Sequence, residues 1–419
     1  MQLAIIGGGP AGLSAAIRAA EEGLTDVWVI ERGKFLGGIL NQCIHHGFGV
    51  HIFKEELTGP EYAQRLIDRA MELGVNFALG AMVIDITKDR MITYASERGL
   101  VTKKAGAIIL AMGCRERTRG AIPGSRGVGI YAAGIAQEMV NMRGHMPGGR
   151  VVILGSGDIG LIMARRMTLE GAKVEGVYEI MPHPGGLKRN IVQCLNDYDI
   201  PLHLSHTVTR TVGNKRLRGV YVAKVDESRQ PIPSTERYVE CDTLLLSVGL
   251  IPENELSKKI GVRLSPITGG AVVNDQLETS TPGVFACGNV LHVHDIVDYV
   301  TLEAYAAAAS AVRFIRHRAG DGATEISIKA TTEIPIKAGE GVRYTVPMSI
   351  THCEDANATP CTISFRSDGV YTPATIKILA DGTVIKSVKK RVIIPSEMEQ
   401  VAIEITRSAQ EITVQIARE

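Results

Sequence analysis

The chain has 419 residues, 45% hydrophobic and 22% charged, and 46 basic against 45 acidic side chains leave a formal charge of +1. That length exceeds what one hydrophobic core serves, so two or three domains are expected. Near-neutrality supplies no long-range field to recruit nucleic acid or an anionic membrane. The seven cysteines (43, 114, 194, 241, 287, 353 and 361) are scattered and include no C-x-x-C, which suggests neither a disulfide framework nor a zinc site.

The first apolar run, Leu3 to Ile6, is too short for a signal-peptide core. No later run reaches the roughly 18 apolar residues of a spanning helix. A cytoplasmic chain without integral membrane contact is the expectation. Residues 3 to 33 then predict a short strand, the glycines Gly7-x-Gly9-x-x-Gly12, a helix to about Glu22, and a second strand, Val27 to Ile30, ending at Glu31. Strand, glycine turn and helix in this order are the signature of a dinucleotide cradle. Gly7 permits the tight turn, Gly9 lets backbone approach a pyrophosphate, Gly12 lets helix and strand pack, and Glu31 accepts hydrogen bonds from a ribose. The helix N-terminus offers free N–H groups and the positive end of its dipole.

Next comes GGILNQCIHHGFGV, residues 37–50, with one cysteine and two adjacent histidines. KAGAIILAMG predicts a buried strand ending at Gly113. Residues 150–179 repeat the first grammar with Gly155-x-Gly157-x-x-Gly160 and Glu179; in both copies the acid stands 19 positions after the third glycine. A carboxylate at this second site would repel a 2′-phosphate, so NADH is expected over NADPH. CDTLLLSVG predicts a further strand ending at Gly249. Both Gly113 and Gly249 mark places where the chain crosses between domains. TSTPGVFACGNVLHVHDIVDYVTLEAYAAAASA, 279–311, reads as a turn, a buried strand Val284 to Cys287, Gly288, Asn289, a loop and a small-residue helix. After Arg318 a linker, AGDGATE, leads into period-two runs with Gly-Glu-Gly and Asp-Gly turns, which predict a small antiparallel β domain over 325–419. ADGT at 380–383 is its clearest hairpin.

These segments together resemble the FAD-dependent pyridine nucleotide-disulfide oxidoreductase superfamily. The resemblance covers residues 1 to about 318. It implies an α/β fold of two Rossmann-like dinucleotide-binding domains plus a C-terminal all-β domain: a discontinuous FAD domain (1–115 and 246–320) with an inserted NAD(H) domain (116–245). The FAD contacts it implies are Gly7, Gly9, Pro10, Ala11, Gly12, Glu31, Arg32, Gly38, Asn41, Val83, Ala111, Gly113, Gly288, Asn289 and Thr301. Those implied for NAD are Gly155, Gly157, Asp158, Ile159, Gly160, Glu179 and Gly249. Asn289 stands where the superfamily has an aspartate on the flavin ribityl and phosphate, and the final helix would aim its N-terminus, around Thr301 to Glu303, at the flavin.

The disulfide reductases of the superfamily carry C-x-x-x-x-C after the Gly-Gly; here only Cys43 follows, and the next cysteine is 71 residues on. A dithiol relay is therefore not expected. Cys43 is left with two readings, a packing residue or a single redox thiol assisted by His45 or His46, as in the superfamily's NADH oxidase, peroxidase and coenzyme A disulfide reductase branch. His45, His46, His292 and His294 are the polar groups expected near the ring, for hydrogen bonding or proton handling; solvated loop histidines are the alternative. No metal is expected, because the histidine pairs lack an assisting acid at ligand spacing.

The run 37–63 with 288–304 is most similar to the FAD-dependent NADH-oxidase-like proteins that accompany anaerobic-type glycerol-3-phosphate dehydrogenase, and more distantly to subunits of sarcosine and opine oxidases. That implies hydride transfer between NADH and flavin, with electrons passing to or from a partner flavin dehydrogenase subunit or small acceptor. The β domain is expected to dock that partner or a second copy, forming a homo-oligomer. A Cys43-dependent enzyme and a non-catalytic FAD-binding subunit are the competing readings.

Overall fold

The structure, a computed structural model, describes residues 1–118, 120, 122–124, 127–319, 331–353, 359–405 and 409–418. The expected linker lies, from residue 320 on, outside the described residues. Contacts divide the chain into two units, Met1–Cys114 with Pro252–Glu419, and Arg115–Ile251. The β region expected as a separate domain thus belongs to the first unit, although it keeps a core of its own around Ile363, Phe365, Ile376 and Val414.

The first unit is built on a five-stranded parallel sheet in the order 284–286, 107–110, 3–6, 27–30, 76–78. Leu3–Ile6 lies at its centre and is buried along its whole length, as a strand covered on both faces requires. Helix Pro10–Glu21 leaves that strand through the Gly7 turn, with proline in its first turn, where the missing N–H costs nothing. Helix Gly59–Glu72 opens on a capping box between Thr58 and Glu61. The long helix Val297–Ala319 presents Ala304, Ala307, Ala308 and Ala311, all fully buried, to this core. A meander, Met82–Ile86, Met91–Ser96 and Gly99–Lys104, completes this part.

The second unit repeats the plan. Its parallel sheet runs 130–132, 243–246, 150–154, 173–179, 202–204, with the strand that precedes the glycine motif again central and a three-stranded antiparallel meander beside it. In such sheets the central strand is the topological switch point, and ligands bind beyond the carboxyl ends of its neighbours.

The C-terminal region forms a five-stranded and a three-stranded sheet. It is not wholly antiparallel: Ile336–Ala338 pairs parallel with Ile412–Val414, joining the region's first and last strands. The hairpin at 380–383 joins Ala374–Ala380 to Thr383–Lys390, and Asp381 and Gly382 both take positive φ, as a two-residue hairpin turn matched to strand twist demands. Among the described residues no helix is long and apolar enough to cross a membrane.

Candidate functional site

In the first unit the three glycines do separate jobs. A Cβ on Gly7 would stand 2.4 Å from the Ala111 carbonyl oxygen, and one on Gly12 would stand 1.8 Å from that of Gly7. Both are packing glycines. A Cβ on Gly9 would meet only the Gly38 Cα, at 4.0 Å, so this position opens onto free space at the start of a helix that no side chain caps. Backbone N–H groups around an open notch fit a pyrophosphate.

Glu31 closes the notch. Its carboxylate accepts from Gly8 N and Gly33 N, both at 2.6 Å, which holds it at the strand end with acceptor capacity left for ribose hydroxyls. Gly37 N donates to Gly8 O (2.8 Å), and the Asn41 amide donates to Leu36 O (2.8 Å), so Asn41 pins the Gly-Gly turn beside Gly9. Ala11 and Val83 are buried and Arg32 is exposed. Gly113, at positive φ, has nothing near a Cβ.

The second unit reproduces these contacts at an offset of 148 residues (155 − 7, 179 − 31). Glu179 accepts from Ser156 N (2.8 Å), Ser156 Oγ (2.7 Å) and Met181 N (2.9 Å), the counterparts of Gly8 and Gly33. Gly155 packs on the Ser247 carbonyl as Gly7 packs on Ala111. Gly185 and Gly186 stand at the same offset from Gly37 and Gly38, and Gly185 N donates to Ser156 Oγ (2.8 Å). Sequence reasoning missed this second Gly-Gly, although the offset was there to find. It also missed Ser247, whose hydroxyl accepts from Gly160 N (3.1 Å) and donates to Gly157 O (3.3 Å). Asp158 accepts from Leu187 N (2.8 Å) and the Asn190 amide (2.6 Å), clasping the loop that holds Gly185 and Gly186, while Ile159 is half-buried. Gly249 lies against Arg117.

A third constellation belongs to the first unit. Gly288 N donates to Glu303 Oε1 (2.6 Å), while Glu303 Oε2 faces His292 Nε2 (2.7 Å) and His294 Nε2 (3.4 Å). Asn289 Oδ1 accepts from His294 N (3.0 Å), and its amide points to Cys114 Sγ (3.6 Å). Burial works against charge at both His292 and Glu303. At His292 burial prevails and the ring is held neutral; at Glu303 the two imidazoles prevail and hold the carboxyl well below the usual carboxylate range.

Comparison with known proteins decides the family. Residues 1–311 match the profile of the pyridine nucleotide-disulphide oxidoreductases. The chain belongs to this family.

It is 26% identical over 364 residues to the glutamate synthase [NADPH] small chain of Mycobacterium tuberculosis, covering 78% of this chain and 69% of that one. It is 27% identical over 315 residues to the hydrogen cyanide synthase subunit HcnB of Pseudomonas protegens (68% and 65%). The thioredoxin reductase of T. acidophilum superposes with a TM-score of 0.61 at 25% identity over 74% of this chain and 97% of that one. This pyridine nucleotide-disulphide oxidoreductase is thus an FAD- and NAD(P)H-dependent enzyme with two Rossmann-type sheets and a C-terminal β region.

Within that family the site departs from several expectations. The long helix begins at Val297, so Thr301 to Glu303 sit in its second turn, and the Thr301 hydroxyl is spent on Tyr62 Oη (2.7 Å) and Ser14 Oγ (3.1 Å). Through its hydroxyl Thr301 ties the long helix to two others, those that carry Tyr62 and Ser14. Of the two readings of Cys43, packing is the one its surroundings favour: burial pushes the thiol up to about 12, and its Sγ donates to Ile39 O (3.3 Å). His45 is half-buried against Phe48 and His46 is exposed, whereas His292 and His294 are enclosed.

The assisting acid that the histidine pair lacked in sequence is Glu303, brought in from the helix, and the ligand atoms of the three side chains lie within 4.8 Å of one another. Yet His292 Nε2 and Glu303 Oε2 stand 2.7 Å apart, closer than two ligands about 2.0–2.1 Å from one tetrahedral zinc ion would stand. A shared proton accounts for that spacing.

Proposed function

We propose that this enzyme transfers hydride between NADH and an FAD held by its first unit, and that it works as one subunit of a larger oxidoreductase. The observation that carries the reading is the duplicated carboxylate clasp, Glu31 on Gly8 and Gly33, Glu179 on Ser156 and Met181. Two adenosine-type cradles in one chain suit two dinucleotides. Gly7, Gly9, Gly12 and Glu31 would hold the flavin nucleotide and Gly155, Gly157, Gly160 and Glu179 the nicotinamide one. Bound FAD supplies the electron chemistry, while the chain supplies placement and electrostatics.

Three internal donors keep the Glu179 carboxylate in place where an adenosine ribose would dock, and none of those donors is a cation. A 2′-phosphate there would meet a fixed negative charge, so the second cradle favours NADH over NADPH by at least about ten-fold. Electrons then leave for a partner. The small-chain and subunit names of the relatives support a role inside an assembly, and the residues of 37–63 support a flavin dehydrogenase, of the kind that oxidises glycerol 3-phosphate, as that partner.

Anaerobic stopped-flow mixing with NADH and NADPH tests the core of the reading. Oxidised-flavin absorbance should bleach within one turnover with NADH and far more slowly with NADPH. A flavin that NADH leaves oxidised would reduce the chain to a nucleotide-binding scaffold.

A further inference from the structure

Resting on FAD occupancy of the first cradle, we propose that the C-terminal β region is part of the flavin site, with Arg366 as a positioning residue for the loop that carries Asn289, His292 and His294. Beside any docking of a partner or a second copy, the region makes contacts inward, within the first unit. Arg366, on strand Thr359–Ser367, donates through Nη2 to Asp295 Oδ1 and to Val293 O (3.1 Å), through Nη1 to Pro395 O (3.2 Å) and through Nε to Tyr344 Oη (3.2 Å). Its donor fork is thereby shared between the loop and its own region. The other Asp295 oxygen accepts from Met398 N (2.7 Å), so both oxygens of one loop carboxylate are held from the β region. Both side chains of the ion pair are 13% exposed, which removes the solvent screening that makes surface pairs weak.

The grip reaches the cradle in two steps. Asp295 and Val293 flank His294, and His294 N donates to the Asn289 oxygen directly after Gly288, whose Cβ position abuts Ala11 in the first turn of the dinucleotide helix. Tyr344 also meets His292 edge-on at 6.3 Å, above the His292–Glu303 contact. A second seam, Thr351 N to Asp275 Oδ1 (2.7 Å) and Met348 N to Val273 O (3.0 Å), anchors the region independently, and Val346 is buried in the nucleotide-binding core. Loss of Arg366 should therefore release the loop without detaching the region.

The test uses the full-length chain, stripped of flavin and titrated with FAD. Arg366→Met should weaken FAD binding by ten-fold or more and shift both the flavin absorbance envelope and the reduction potential, because the dipoles and the Glu303 charge beside the nucleotide change place. Arg366→Lys, which keeps the charge and loses the fork, should recover part of the affinity. Asp295→Asn should move the same readouts in the same direction, and the double variant should be no worse than Arg366→Met, since the two act through one contact. A folded Arg366→Met chain with wild-type FAD affinity and potential overturns the proposal. If Arg366→Met does not fold, a folded Asp295→Asn chain with unchanged affinity and spectrum overturns it equally. Wild-type chain that takes up no FAD removes the underlying reading, a distinct result.

Discussion

Glu179 is 7% exposed and is the acceptor for two backbone amides and one hydroxyl. Replacing it by alanine leaves those donors unpaired, at about 1–3 kcal/mol, and also removes the charge that opposes a 2′-phosphate. Glu179→Ala should lose stability by that amount and bring kcat/KM for NADPH toward that for NADH, which steady-state assays with both nucleotides will show; an unchanged ratio would mean selectivity lies elsewhere. Cys43 predicts the opposite, a near-silent change. Its thiol is held protonated by burial, so iodoacetamide should alkylate it far more slowly than a free cysteine with its ordinary pKa of about 8.5. Cys43→Ser should leave reduction by NADH unaltered, and a loss of acceptor turnover alone would restore the thiol to the mechanism. The acids and the glycines were legible in sequence because each has a fixed spacing from a strand end. Ser247 was not, since its role comes from a strand that reaches the second cradle from 87 residues beyond Gly160.

The strand, turn and helix around Gly7 to Gly12 separate folding from binding. Gly12→Ala forces a methyl to 1.8 Å from a backbone oxygen, so the element must shift, at about 1–3 kcal/mol or more. Gly9→Ala meets nothing closer than 4.0 Å. It should melt like the wild type yet hold FAD at least about ten-fold more weakly, because its methyl takes the place where backbone approaches the pyrophosphate. Thermal melts and FAD titrations of the two variants should therefore give opposite patterns, and a Gly9→Ala chain with full FAD affinity would place the pyrophosphate elsewhere. Strand Val27–Ile30 falls where its apolar run predicts. The start of the last long helix does not. Threonine favours helix starts, but Tyr62 and Ser14 bury the Thr301 hydroxyl inside the second turn, and no local signal reveals a partner 239 or 287 residues away. The C-terminal strands were legible from alternation, whereas the parallel pairing of the first with the last was not, because strand pairing depends on contacts that a period-two pattern does not encode.

Across the whole molecule, the cluster that joins the cradle to the β region makes the first unit sensitive to acid. Around His292 stand Glu303, His294, Tyr344 and Arg366, the last paired with Asp295. His292 is buried and its pKa is lowered from 6.5, so below that pH the unfolded chain binds a proton that the folded chain refuses. Glu303 is lowered from 4.5, because His294 and His292 outweigh its burial, so a second proton favours unfolding once the pH falls below that value. Both shifts have the same sign: the stability they contribute is complete at neutral pH and is lost on acidification, first below 6.5 and more steeply below 4.5. Each group adds a slope of up to about 1.4 kcal/mol per pH unit. The chain's one tryptophan, Trp28, lies in the parallel sheet of the first unit, so its fluorescence follows that unit with no reference to flavin. Denaturant midpoints read from Trp28 should fall between pH 7 and pH 5, and His292→Gln, which keeps a donor for Glu303 without a titrating ring, should flatten that fall while leaving the steeper loss at lower pH. If the variant and the wild type lose stability in parallel through this range, His292 is not the group that titrates.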